Sequence, residues 1–309
     1  NNTQLRIESR DPVAFVMDRS KFDKTLHKEA LKAGAKVELN TSAMDVRNNT
    51  VFTRVRNGRG GILKSKVIVA ADGVNSQLRK LAGIASTQKN FIHSYQVKAV
   101  GTFDPRFVEL YFGSTFAPDF FAWVIPENAH SAKMGVGCRT GVNPATMFNL
   151  FLREKQISVH IKNTNSFLIP CSPPLRTLRG NGITLLGDAA FQTKATTGGG
   201  IVMNCKSADI LSGVIHEHVT KNTPMEEYEK RMESIFRELE LHWKIHQFQS
   251  RMNDSQMDKF FLKLKDAGIE RFLSKDGDMD EPSRFMGKMF SMPRMITLLP
   301  EALQFLRMK

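Results

Sequence analysis

The run GDAAFQTKATTGGGI at 187–201 leaves few folds open to this chain. The apolar stretch at 183–186 reads as a buried strand, delivering Gly187 and Asp188 at its carboxyl end, where ligands of open α/β sheets sit. Gly187 leaves room for a close approach, and the Asp188 carboxylate can accept hydrogen bonds from the hydroxyls of a sugar-like chain. Ten residues after that aspartate, Gly198, Gly199 and Gly200 open a helix. Its free N–H groups and positive dipole end suit an electron-rich ligand edge. A tight strand-to-helix turn, with glycines for backbone reasons alone, is the plainer alternative.

A second run, VIVAADGVNSQLRK at 67–80, follows the same grammar of strand, turn and helix. Gly73 permits a positive φ, and Asp72 can orient nearby backbone or a cationic side chain. Upstream, 13–17 (VAFVM) reads as a buried strand and Asp18 as the cap of a helix over 21–33. That helix gathers Phe22, Leu26, Ala30 and Ala33 on one face. With 36–39 (KVEL) as a returning strand, this makes a parallel strand–helix–strand unit. Segments 51–55 and 63–70 read as a hairpin around the glycine-rich turn at 57–61. Between 91 and 139 four β-rich runs follow one another with only turn residues between them, the pattern of an antiparallel sheet. A helix near 145–154 comes next, and the chain from 225 onward is mostly helical.

In this order and separation, the Asp-Gly and Gly-Asp runs resemble the fingerprints of the para-hydroxybenzoate hydroxylase-like superfamily of FAD-dependent oxidoreductases. The stretch 17–46 resembles the segment that precedes them. PDFFAWVIPENAHSAKMGVGCR at 118–139 narrows the likeness. It is similar to the aromatic-x-Trp-x-Phe-Pro motif of geranylgeranyl reductases and the Gly-x-Gly strand after it, and the TTGGG ending is typical of the same branch. The resemblance implies an α/β (α+β) fold with FAD as cofactor. An FAD-binding part would comprise 1–88 and 170–222, an inserted antiparallel substrate sheet 89–169, and a helical region 223–309. It also implies that Arg19, Ala43, Asp72, Gly73, Gly187, Asp188, Gly198, Gly199, Gly200 and Ile201 serve the cofactor. Phe121, Trp123, Ile125 and Pro126, with Phe120, would wall an apolar tunnel for a prenyl chain. By strand alternation Phe121 and Trp123 project together, opposite Phe120, Ala122 and Val124. No catalytic residue is assigned, because the family's cysteine near the flavin has no located counterpart here.

The chain departs from the pattern at three residues. Ala195 stands where the family usually has Pro, Phe191 replaces a commonly small residue, and Ile125 stands for the Phe before the Pro. A larger departure is that no strand–GxGxxG–helix run for the ADP half of FAD occurs in the sequence. In relatives that unit lies upstream, so the resemblance implies an N-terminally incomplete chain.

The expected activity is reduction of C=C bonds in geranylgeranyl chains of isoprenoid membrane lipids or their precursors. The electron donor would be a reduced nicotinamide or a ferredoxin-type protein. The alternatives are an aromatic monooxygenase or halogenase on the same fold, or a truncated non-catalytic relative. A halogenase would be expected to carry WxWxIP, and this sequence has one Trp in that stretch. The 44 basic against 31 acidic residues give a net charge of +13, which favours an anionic partner such as an acidic membrane surface or a phosphate-bearing substrate. No nucleic-acid-binding motif accompanies that charge, so nucleic acid is not expected. Cys138, Cys171 and Cys205 form no CxxC pair, and a reducing cytoplasmic setting, peripheral to a membrane, is the expectation. Cys138 and Cys205 read as small buried residues. His242 and His246 are spaced for a helical metal pair, but lack the Glu of HExxH and a third ligand, so no metal is expected.

Overall fold

A computed structural model describes residues 3–306 apart from 11, 13, 85–89, 293 and 295–297. Helix α1 (Arg19–Lys32) starts where the sequence places it, with the Asp18 carboxylate accepting from the Lys21 amide at 3.2 Å. The strands expected on either side of it do not form. Residue 13 lies outside the described residues. Residues 14–17 and 36–38 form no strand, and Phe15 is 81% exposed. An apolar run becomes a strand only beside a ladder partner, and no described strand runs along either segment.

The chain instead enters β1 (Thr41–Arg47), which turns through Asn48 and Asn49, both at positive φ, into β2 (Thr50–Val55). Strand β3 (Gly61–Lys64) completes this antiparallel sheet. The run read as one strand at 63–70 is divided: after Ser65 and Lys66 the chain leaves that sheet, and β4 (Ile68–Ala70) joins another. Helix α2 (Gln77–Leu81) follows.

Next come β5 (Phe91–Val100), β6 (Glu109–Tyr111), β7 (Ala122–Asn128), β8 (Ser131–Arg139), α3 (Pro144–Glu154) and β9 (His160–Pro170). These five strands form the expected antiparallel sheet in the order β6-β7-β8-β5-β9. Strand β9 is polar and mostly exposed along its length, so its sequence carries no alternating apolar face to announce it. Then β10 (Arg179–Gly180) leads into β11 (Ile183–Leu185), which runs parallel to β4. A 3-10 turn (Gly187–Ala190) and α4 (Ile201–Lys221) follow. The remainder is helical: α5 (Glu227–Arg231), α6 (Glu233–Ser250), α7 (Asp254–Asp266), α8 (Ile269–Asp276), α9 (Ser283–Phe290) and α10 (Leu299–Leu306).

The packing places the two long-range motifs. Ile68, Ala70, Ile183 and Leu185 from the parallel pair bury against Met203 and Leu211 of α4, and Tyr228 and Phe236 of the helices beyond it. The five-stranded sheet has two covered faces. On one, Val97, Ala99, Ala122, Val124, Met134 and Val136 pack on Phe148 and Phe151 of α3. On the other, Phe121 and Trp123 meet Cys171 and Ala195, with Trp243 of α6 alongside.

Candidate flavin site

The site grows out of the end of β11. Gly187 takes φ +70°, a left-handed conformation that glycine adopts without strain, and its amide donates to Gln192 Oε1 at 2.8 Å. The turn then projects Asp188, whose Oδ1 accepts from the Thr193 hydroxyl at 2.8 Å and from Asn204 Nδ2 at 3.4 Å. Gly200 lies against this cluster: a Cβ there would stand 3.0 Å from Asn204 Nδ2 and 3.2 Å from Asp188 Oδ1. Gly198, at φ +67°, reverses the chain, and its amide donates to the Lys194 carbonyl at 2.8 Å. No side chain caps α4, so its dipole end is left to whatever binds there. The Asn204 Oδ1 is buried with no partner, an acceptor matched to an N–H such as the one on a flavin ring. These features fit the ring and ribityl part of FAD, with Asp188, Gly198, Gly199, Gly200, Ile201 and Asn204 as the residues able to hold it.

The Asp-Gly run supports this turn from behind. The Asp72 carboxylate accepts from the Ser76 hydroxyl and, at 3.2 Å, from the Leu78 amide, so it fixes the start of α2. Gly73 takes φ +80° to make that possible. Helix α2 in turn sends Arg79 inward. Its guanidinium donates to the Ala189 carbonyl at 2.9 Å and to the Val74 carbonyl at 3.2 Å, and stands 4.9 Å from the centre of the Phe191 ring. Burial lowers the Arg79 pKa from its ordinary value, with Asp72 opposing. Phe191, the departure noted in the sequence, is fully buried and itself left-handed at φ +56°.

The aromatic motif meets the glycine turn directly. Phe121, just before β7, faces the same side as Trp123 and Ile125 of that strand, as alternation requires. Phe120 does not lie opposite Phe121: the two rings stack at 4.2 Å, because Asp119 at φ +67° turns the chain before the strand begins. Pro126 falls in register with Ala122 and Val124, on the α3 side, away from the site. The Gly-x-Gly of β8 now has a reason. A Cβ at Gly135 would come within 2.4 Å of Trp123 Cζ2, and one at Gly137 within 2.4 Å of Phe120 Cδ1. The rings lie on bare backbone, and Phe120 reaches Gly198, whose Cβ would stand 3.4 Å from Phe120 Cζ. A cavity of about 120 Å³ opens beside them, lined in part by Phe112, Phe120, Phe121, Thr196, His246 and Met252.

Sequence reasoning gave Lys194, Thr196 and Asp280 no role at this turn, and weighed His242 only as a metal ligand. His242 Nε2 lies 3.2 Å from the Asp280 carbonyl and Nδ1 lies 2.6 Å from the Thr196 hydroxyl. Burial lowers the His242 pKa, and Lys194 adds to the effect against the Asp280 hydrogen bond. The neutral ring therefore carries its proton on Nε2, and Nδ1 accepts from Thr196. His246, pushed down to about 4 by burial, stacks beside Trp243 at 5.7 Å. The two histidines thus have separate partners, and no metal-ligating cluster exists among the described residues. What residues 193–196 face is shown by the returning 278–281 segment, far along the chain.

Two of the expected cofactor residues stand elsewhere. Arg19 is exposed and pairs with Asp23 at 3.3 Å, and the neighbouring Met17 carbonyl accepts from Lys133 of β8 at 2.8 Å. Ala43 sits at a bulge in β1 and packs toward the core beneath the parallel strands. Neither shares a described contact with the glycine turn.

A buried parallel strand, a left-handed glycine, an aspartate and an uncapped helix start are the features expected of an FAD-binding flavoprotein. The FAD binding domain family profile matches residues 1–145. Digeranylgeranylglycerophospholipid reductase of Methanothrix thermoacetophila is 28% identical over 282 residues, covering 85% of this chain and 72% of that protein. The same-named protein of Methanocaldococcus jannaschii is 29% identical over 262 residues, 79% of this chain and 67% of that one. Among solved structures, a geranylgeranyl bacteriochlorophyll reductase-like protein from Thermoplasma acidophilum superposes with a TM-score of 0.80 at 22% identity. It covers 96% of this chain and 79% of that one. The chain is thus similar to geranylgeranyl reductases and to FAD-dependent oxidoreductases more widely.

Proposed function

We propose that this protein reduces C=C bonds in the geranylgeranyl chains of isoprenoid membrane lipids or their precursors, using FAD. The observation that carries the reading is the contact of Phe120 with Gly198, which sets an apolar wall of Phe120, Phe121 and Trp123 against the turn assigned to the flavin ring. A prenyl chain has no polar group to grip, so it is held by apolar contact, worth about 25 cal/mol per Å² of surface removed from water. The wall also keeps water from the ring face. Asp188 takes the hydroxyls of the cofactor's ribityl chain, and the uncapped end of α4 faces the part of the ring that gains negative charge. When bound, FAD would supply the hydride that one alkene carbon receives, with a proton from solvent or an acidic group reaching the other carbon. Arg19, Ala43, Asp72 and Gly73 act at a distance from the ring, the last two by holding α2 and Arg79.

A reduced nicotinamide or a ferredoxin-type protein would recharge the flavin. The net charge of +13 supports contact with an anionic lipid surface, and no helix among the described residues is long and apolar enough to cross a membrane. The decisive experiment reduces the flavin-loaded protein anaerobically and adds a geranylgeranyl lipid. Flavin reoxidation with product mass gains of two units per bond is expected. Oxygen-dependent turnover of a phenol without such gains would sink the reading.

A further inference from the structure

Lys194 is the most unusual charge near the site. It lies in the turn between Asp188 and the glycine triplet, and its side chain is only 6% exposed. Its stem and ammonium run along that triplet: a Cβ on Gly199 would stand 3.1 Å from Lys194 Cε and 3.4 Å from Nζ. The turn is closed around it, with the Lys194 amide donating to the Gly199 carbonyl at 3.2 Å and its own carbonyl accepting from Gly198. A buried ammonium beside an unfilled helix start adds positive charge where the dipole is already positive. That arrangement repels itself unless an anion balances it.

One balancing anion comes from far along the chain. Asp280 forms an ion pair with Lys194 and is held where it is by several contacts. Asp278 Oδ1 accepts from the Asp280 and Glu281 amides at 2.8 and 3.1 Å. The Asp280 carbonyl receives His242, Glu281 pairs with Lys206 of α4, and Glu238 of α6 accepts from the Ser283 amide at 3.0 Å. The helical C-terminal region therefore presents one fixed carboxylate to one buried ammonium at the cofactor turn.

We propose that Lys194 tunes the flavin, stabilising the extra negative charge of its reduced form, and that Asp280 sets how much of that positive charge the ring feels. The inference rests on the assignment of the glycine turn to the flavin ring. A cation near the ring favours the reduced form and raises its potential, while a carboxylate beside that cation offsets the effect. In the wild type the two partly cancel. The residues act through charge, without touching the transferred hydrogen.

The test is the midpoint potential of the flavin-loaded protein, read by anaerobic reductive titration against dyes of known potential. No prenyl substrate is present, so the result stands apart from the activity assay. K194M should shift the oxidised-to-reduced equilibrium toward oxidised by about tenfold, a fall of about 30 mV for a two-electron couple. D280N, which keeps the ammonium and removes its counter-charge, should move the potential the opposite way. Unmoved potentials in both variants would overturn the proposal, as would shifts of the same sign. Should K194M fail to load flavin, D280N decides alone: a rise supports the proposal and no rise overturns it. G200V separates the underlying assignment. If it loads flavin normally the ring is not at this turn and the inference falls with that placement; if it loses flavin, the potentials stand as the test of Lys194.

Discussion

The guanidinium of Arg79 donates to the carbonyl of Ala189 across 2.9 Å, bonding the helix after the Asp-Gly turn to the turn after the Gly-Asp motif. The two motifs are more than a hundred residues apart in sequence, and this contact makes them one unit. Removing the side chain would leave the Ala189 and Val74 carbonyls short of a donor and open space beside Phe191. R79M should cost about 3–6 kcal/mol, from two lost hydrogen bonds to a charged donor at about 1.5–3 kcal/mol each. That corresponds to a fall in melting temperature of several degrees for a chain of this size. A calorimetric scan at neutral pH checks it, and no change in melting would contradict the described role.

Gly137 leaves no room for a side chain in the site wall. G137A would drive a methyl into Phe120 and Ile92 and press the Phe120 ring toward Gly198. Overpacking of this kind costs about 1–3 kcal/mol. Flavin affinity should fall together with stability, measured by fluorescence titration and thermal melting on the same preparation. Weaker melting with unchanged flavin affinity would show that the aromatic wall does not bear on the cofactor turn.

Trp123 is buried, yet its indole N–H has no partner. W123F discards an unsatisfied donor while keeping an aromatic ring over Gly135, so its stability should stay within about 1 kcal/mol of wild type. W123A removes the ring and should cost about 3–5 kcal/mol, as large-to-small core changes do. For prenyl binding W123F is therefore the cleaner probe, and a large loss of stability in W123F would mean the N–H is satisfied in solution.

His246 gives the protein an acid sensitivity with a definite sign. Its ordinary pKa is 6.5 and burial pushes it down to about 4 in the folded chain. Between those values the unfolded state binds the proton and the folded state does not. Stability therefore rises with pH through that window and is lost as pH falls from 6.5 toward 4. The full contribution is on the order of 3 kcal/mol, at 1.36 kcal/mol per pKa unit. H246F should flatten this part of the curve, measured by urea unfolding at several pH values. An unchanged slope would place the acid sensitivity elsewhere, with His242 the next group to test.

The three thiols should separate by reactivity. Cys205 is exposed on α4, contrary to the expectation that it is buried, whereas Cys138 and Cys171 are covered. Burial pushes the Cys138 thiol up to about 11 and that of Cys171 higher still. Under native conditions a thiol reagent should label one cysteine quickly, and C205S should abolish that signal.

What the sequence made legible follows from how local each signal is. Asp18, Gly187 and Gly198 act on their own neighbours, so capping and positive φ could be read from a few adjacent residues. The alternation of β7 placed Trp123 and Ile125 correctly, and failed for Phe120 because one left-handed aspartate precedes the strand. Pro126 was grouped with the wall by motif, and its register puts it on the other face. Arg79, Lys194, His242 and Asp280 were illegible because each owes its role to a partner tens of residues away or more. Strand β9 was hidden for a related reason, since a polar strand is defined by the neighbour it pairs with.

Gly135 and Gly137 carry a consequence for how such a site can change. The aromatic rings rest on backbone, so the distance between sheet and cofactor turn is set by ring thickness and by the missing methyl groups beneath them. At Gly137 the atoms in the way belong to side chains, so the sheet's backbone need not alter for that gap to narrow. A single added carbon at Gly137 would press on the Phe120 ring and Ile92, whereas one at Gly135 would also meet the Tyr95 carbonyl of the neighbouring strand. The gap between sheet and glycine turn is then adjustable from the floor at Gly137, while the opposite face stays closed by α3.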